Sequence, residues 1–139
     1  MKVPPYEFRG NCLIDSTGQE LCLFHGVREF LDWASERFVL SIASWNLEDK
    51  VRPILEGFGL WDYFTFSKIE SHPNKADMIR RTLDELSSIG YNIEDVIYVD
   101  DRDIHIDEIK RIFLPVNFVH MWVDAKSFEE LRELLEKLG

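Results

Sequence analysis

Cysteine is scarce in this 139-residue sequence: Cys12 and Cys22 are the only two. That is too few for a disulfide-built scaffold or for a zinc site that needs a second cysteine pair. Long apolar runs are absent as well. A bilayer span takes about 20 apolar residues, and the start Met1-Lys2-Val3-Pro4-Pro5-Tyr6 lacks the apolar centre of a signal peptide. A cytoplasmic protein with no membrane partner is expected. Basic residues are outnumbered, Lys+Arg 16 against Asp+Glu 26, giving a formal net charge of -10. A nucleic-acid partner is disfavoured, because backbone affinity rests on lysine and arginine displacing counterions. The acidic excess suits divalent cations without selecting one.

What remains is ordinary for a folded chain: 45% hydrophobic and 30% charged residues, in a length that fits one domain spanning 1–139. Residues 1–10 hold Pro4, Pro5 and Gly10 with little periodicity and are expected as an extended arm. Asn11 to Asp15 and Gln19 to Phe24 are β-compatible runs about Ser16-Thr17-Gly18, so 11–24 is expected as a β-hairpin. Its register sets Cys12 opposite Cys22, close enough for a disulfide. Two reduced, half-buried thiols are nevertheless the expectation in a reducing compartment.

From Gly26 onward the chain reads as alternating helix and strand. Val27, Phe30, Leu31, Trp33 and Ala34 form a helical apolar stripe, and Phe38 to Ala43 is a continuous apolar run typical of a strand covered on both faces. Glu48 to Phe58 is expected as a helix that Pro53 kinks or begins, and Tyr63 to Ile69 as a strand. Asn74 caps a helix reaching about Ser88, Val96 to Val99 is a short strand, Ile104 to Phe113 a helix and Val116 to Val123 a strand. Ser127 and Glu130 make the capping box of a closing helix. Residues 26–139 therefore predict an α/β core with a parallel sheet, in which functional groups gather beyond the carboxyl ends of the strands.

Three such places carry candidate chemistry. Val96-Ile97-Tyr98-Val99-Asp100-Asp101 sets two adjacent carboxylates at a strand end, where they serve either as magnesium ligands or as the cap of the next helix. Ser44 follows an apolar strand, as a turn residue or as a donor to a phosphoryl oxygen, with Trp45 and Asn46 beside it as walls of a pocket or in an aromatic packing role. Lys75 starts a helix, where a cation opposes the macrodipole, so it is either a surface lysine or a group placed to neutralise phosphate. Taken together they predict one phosphate and magnesium site. The histidines His25, His72, His105 and His120 show no two-ligand spacing and are expected in loop or core roles.

This order of Ser44, Lys75 and Asp100-Asp101 resembles the haloacid dehalogenase superfamily. Pro4-Pro5-Tyr6, Thr17-Gly18-Gln19-Glu20-Leu21, Gly26-Val27-Arg28-Glu29-Phe30-Leu31, Ala43-Ser44-Trp45-Asn46, His72-Pro73-Asn74-Lys75 and Val99-Asp100-Asp101-Arg102 further resemble its magnesium-dependent phosphatases. The resemblance implies a three-layer Rossmann-like fold with a small hairpin insertion near the N-terminus. It also implies a Mg2+ cofactor held by Asp100 and Asp101, phosphate binding by Ser44, Trp45, Asn46 and Lys75, and catalytic roles for Ser44 and Lys75. The implied substrate is a small phosphorylated molecule or a phosphoprotein, hydrolysed through an aspartyl-phosphate.

One departure stands out. The family's nucleophile lies in a D-x-D-x-T strand upstream of the Pro-Pro segment, and the only D-x-D here is Asp101-Arg102-Asp103 of the late acidic motif. An N-terminal truncation is the expected cause. The alternative is a catalytically inactive module that still binds magnesium, phosphate or a partner. Asp15-Ser16-Thr17-Gly18-Gln19 resembles the phosphorylation loop of ion-pumping ATPases and makes Asp15 a rival nucleophile. Its second threonine, however, is replaced by Gln19.

Overall fold

A computed structural model describes residues 3–113 and 115–138 of the chain. It begins with an antiparallel meander of β1 (Glu7–Arg9), β2 (Cys12–Ile14) and β3 (Glu20–Cys22), in that spatial order. The segment expected as an arm thus contributes a strand. The physical reason is a short alternation: Phe8 points inward onto Phe58, with ring centroids 5.0 Å apart, while Glu7 and Arg9 face outward as an ion pair. Fully buried Leu13 anchors the middle strand, and burying a leucine stabilises by about 2 kcal/mol.

The turn after β2 is organised by Asp15. One of its oxygens, Oδ1, accepts from the backbone N–H of Thr17 and of Gln19 and from the Thr17 hydroxyl, at 2.7 to 2.9 Å. The other accepts from Val3 N–H at 3.0 Å, tying the incoming chain to the turn. Hydrogen bonds at Asp15–Gln19 and Asn11–Leu23 make Cys12↔Cys22 a non-hydrogen-bonded pair, the closer kind across a ladder. The two cysteines form a disulfide with Cα atoms 4.0 Å apart, which corrects the expectation of reduced thiols.

Helix α1 (Val27–Ser35) starts from Gly26, whose φ of 82° only glycine adopts cheaply. Its buried Trp33 and Ala34 pack on Leu131 and Leu135 of α5 (Phe128–Leu138) and on Val119 of β7 (Val116–His120). Leu31 turns the other way, joining Leu13, Phe58 and Leu60 under the meander. Ser127 Oγ accepts from Glu130 N–H at 3.0 Å, the cap expected for α5.

The first parallel strand is shorter and later than its apolar run. Regular pairing covers only β4 (Ala43–Trp45) against β5 (Lys68–Glu70), with a single earlier bridge between Leu40 and Phe64. Phe66 has a φ of 53°, which breaks the second strand's extended path, and Trp61–Tyr63 is a 3-10 turn rather than the start of a strand. Between them α2 (Glu48–Gly57) runs through Pro53 without ending. Further along come α3 (Lys75–Ser88), β6 (Val96–Asp100) and α4 (Ile106–Ile112). β6 pairs in parallel with β7 from Val96↔Val116 to Asp100↔His120. The last strand is shorter than expected because Trp122, at φ 72°, turns the chain into the Met121↔Ala125 bridge.

The α/β class and the parallel pairing match the expectation, but a continuous sheet is not formed. Among the described residues the strands make two separate parallel pairs, and no ladder joins β4 to β6. No helix among them is long and apolar enough to cross a membrane.

Candidate functional site

Three local features bring a lysine and an acid together. β6 runs Val96 to Asp100, delivering Asp100 at its carboxyl end in register with His120. The Asn74 side chain accepts from Asp77 N–H at 3.1 Å, so α3 begins at Lys75. The start of α3 is in turn tied to the end of β5. Arg81 holds both Glu70 oxygens and donates through Nε to Asp77 at 2.8 Å. Asn74 N–H donates to His72 Nδ1 at 3.2 Å, so the ring's other nitrogen carries the proton and donates to Glu70 at 2.9 Å. The Arg81 guanidinium and, behind it, His72 hold the Glu70 carboxyl below the usual carboxylate range despite its partial burial.

Within this frame Lys75 Nζ donates to Asp100 Oδ2 at 2.9 Å, with both side chains largely buried. The Tyr98 hydroxyl, two residues earlier on the same strand face, donates to the same oxygen. Burial alone would raise the Asp100 pKa, but the hydrogen bonds from Tyr98 and Lys75 outweigh it and bring it down to about 2. Burial, followed by the adjacent carboxylate, pushes the Tyr98 phenol well above its ordinary value. Among the described residues, Oδ1 accepts one backbone donor, Arg102 N–H at 3.2 Å. Asp100 is thus ionised, with one oxygen fixed and the other lightly engaged.

Asp101 is exposed and its carbonyl accepts from His120 Nε2 at 3.0 Å. Phe118 packs between Tyr98 and His120, with centroids 5.7 Å from each, so one aromatic stack supports both acids. Tyr98, His120, His72 and Glu70 were missed in the sequence. The signals were there for Tyr98, at period 2 from Asp100, and for His120, at a strand end.

Ser44 is placed differently from its expectation. It lies inside β4, opposite Ile69, rather than just past the strand, and it is half-buried. Trp45 and Asn46 are exposed at that strand's end, where Asn46 Oδ1 accepts from Leu47 N–H at 2.8 Å just before α2. α3 packs against β4. Among the described residues, however, no hydrogen bond or ion pair joins Ser44, Trp45 or Asn46 to Lys75, Asp100 or Asp101. The structure therefore unites two of the three expected parts directly.

The donor set fits magnesium. Two carboxylates stand at one strand end, hard oxygen ligands in the number that magnesium usually takes from protein. Asp100, through Oδ1, and Asp101 would hold it, with the rest of the shell left to water and phosphate.

The rival nucleophile Asp15 is buried, and its carboxylate is spent on the turn and on Val3. The Thr17 hydroxyl outweighs burial and keeps the carboxyl far below the ordinary range. It is a structural acid.

An α/β chain with an ionised acid at a strand end, paired to a lysine at a helix start, is the class that fold and site define. The model of the haloacid dehalogenase-like hydrolases matches residues 12–119, and the chain belongs to that family. No curated protein matches it.

Proposed function

We propose that the chain is the phosphate-handling part of a magnesium-dependent phosphomonoester hydrolase. The observation that carries this reading is the buried 2.9 Å contact between Lys75 Nζ and Asp100 Oδ2 at the carboxyl end of β6. Lys75 supplies positive charge toward a bound phosphoryl group, and Asp100 holds that ammonium in place. Asp100 and Asp101 are the magnesium ligands, and the bound ion supplies charge neutralisation that eases attack on phosphorus. Ser44 Oγ, free of hydrogen bonds among the described residues, donates to a phosphoryl oxygen, and Trp45 and Asn46 line the approach. The substrate is a small phosphorylated molecule or a phosphoprotein. The attacking carboxylate comes from a D-x-D-x-T strand seated between β4 and β6, which these 139 residues do not include. The test is turnover of p-nitrophenyl phosphate, with and without magnesium, by a protein that carries such a strand in frame. Absence of magnesium-dependent turnover removes the reading.

The missing D-x-D-x-T motif favours a second reading, an inactive module that binds magnesium, phosphate or a partner. It is distinguished by magnesium-induced shifts of the Asp101 and Arg102 amide resonances without turnover.

A further inference from the structure

The Lys75–Asp100 site makes no use of the outer face of the meander. Side chains alternate across a strand, so with Leu13 buried, Cys12 and Ile14 share the opposite face of β2. Cys22 and Glu20 share that face on β3, since Cys22 is opposite Cys12 and Glu20 is opposite Ile14. The donor atoms of Cys12, Glu20 and Cys22 lie within 4.8 Å of one another. Cys22 and Glu20 are exposed and Cys12 is half-buried, so solutes reach all three.

We propose that the reduced meander is a binding site for one soft divalent cation of the zinc class, and that the Cys12–Cys22 disulfide is its closed state. Two thiolates and a carboxylate are a ligand set that zinc and cadmium prefer over magnesium, with a fourth position left to water. Opening the site takes two equivalents of a small thiol. Their sulfurs end joined in a small disulfide, the Cys12–Cys22 S–S bond breaks, and both protein sulfurs gain a proton. Binding the cation then releases those two protons to solvent, leaving two metal–sulfur bonds. A small disulfide reverses the exchange: the protein S–S bond re-forms and the cation leaves.

The strands keep their place without the covalent link. The inner face is held by Leu13 against Leu31, Phe58 and Leu60. Arg28 of α1 ties the meander to the residue that follows α2 by donating to Asn11 Oδ1 at 2.6 Å and to the Phe58 carbonyl at 2.7 Å. The ligands therefore remain on one face after reduction. This inference is independent of the phosphate reading.

The test is titration of the whole chain with cadmium under anaerobic conditions, after reduction by a phosphine and its removal. The expected result is one equivalent bound, with a thiolate-to-cadmium charge-transfer band. The band is lost in Cys22→Ser, and affinity is lowered roughly tenfold in Glu20→Gln. The oxidised chain shows no such band, and an added small disulfide abolishes the band of the loaded one. Far-ultraviolet circular dichroism accompanies each titration. A reduced chain that stays folded and shows no such band overturns the proposal, as does a chain whose fold is lost on reduction. Cadmium binding unchanged in Cys22→Ser also overturns it, and an unchanged affinity in Glu20→Gln removes the carboxylate from the site.

Discussion

Lys75 and Asp100 are 25 residues apart in sequence, yet the ammonium and carboxylate meet at 2.9 Å with side chains only 14% and 8% exposed. At that burial, removing one partner leaves the other charge poorly solvated. Lys75→Met leaves Asp100 with Tyr98 and one backbone donor, so a loss of about 1–3 kcal/mol in unfolding free energy is expected. Urea denaturation measures it. Lys75→Arg keeps the charge and should lose less. A change in Lys75→Met below about 0.5 kcal/mol would instead mark the pair as solvent-screened.

Acid should unfold the protein in a definite window. Asp100 titrates near 2 in the folded chain against an ordinary 3.8, so between those values the unfolded chain binds more protons. The contribution of Asp100 is complete above about pH 4 and is lost as pH falls toward about 2. The lowered carboxyls of Asp15, Glu70 and Asp77 act in the same direction. Urea midpoints measured from about pH 5 down to about pH 2.5 should fall throughout this window. Asp100→Asn should flatten the slope there, and an unchanged slope would show that Asp100 is not a source of it.

Asp15→Asn separates a structural acid from a nucleophile. The amide keeps one acceptor oxygen but turns an NH2 group toward a backbone donor, so either Val3 or the Thr17–Gln19 side of the turn loses its bond. The melting temperature should fall. Amide exchange should accelerate at Thr17 and Gln19, as read by hydrogen–deuterium exchange. Any phosphatase turnover of a strand-containing protein should persist, because the Asp15 carboxylate lies outside the Lys75–Asp100 pair. Loss of turnover with no change in exchange would reverse that assignment.

What the sequence made legible follows from range. Helices with local signals were readable: Asn74 caps α3 by bonding Asp77 N–H, and Ser127 caps α5 by bonding Glu130 N–H. The strand-end acids were readable because four apolar residues lead straight into Asp100. β1 was not, since three residues give too short an alternation to stand out beside two prolines. The shortened β4 depends on the positive φ of Phe66, some twenty residues on, which no propensity foretells. The Tyr98–Phe118–His120 stack needs two strands in a particular register, information that exists only after β6 and β7 pair.

Gly57 offers a test in which local preference and packing give opposite answers. It is the last residue of α2, where alanine would favour the helix by up to about 1 kcal/mol. A Cβ at this position, however, would overlap the Cζ tip of the Phe8 ring, far closer than van der Waals contact. That ring also packs edge-on against Phe58 beside Gly57, and it is the inward anchor of β1. Gly57→Ala must therefore push Phe8 outward and loosen β1 from the helix. Overpacking of this kind costs about 1–3 kcal/mol, so net destabilisation is expected. The double variant Gly57→Ala with Phe8→Ala decides the cause, because once the ring is gone the extra methyl meets no clash. In that background Gly57→Ala should be neutral or stabilising by urea denaturation. A Gly57→Ala loss of equal size with and without the Phe8 ring would refute the packing account.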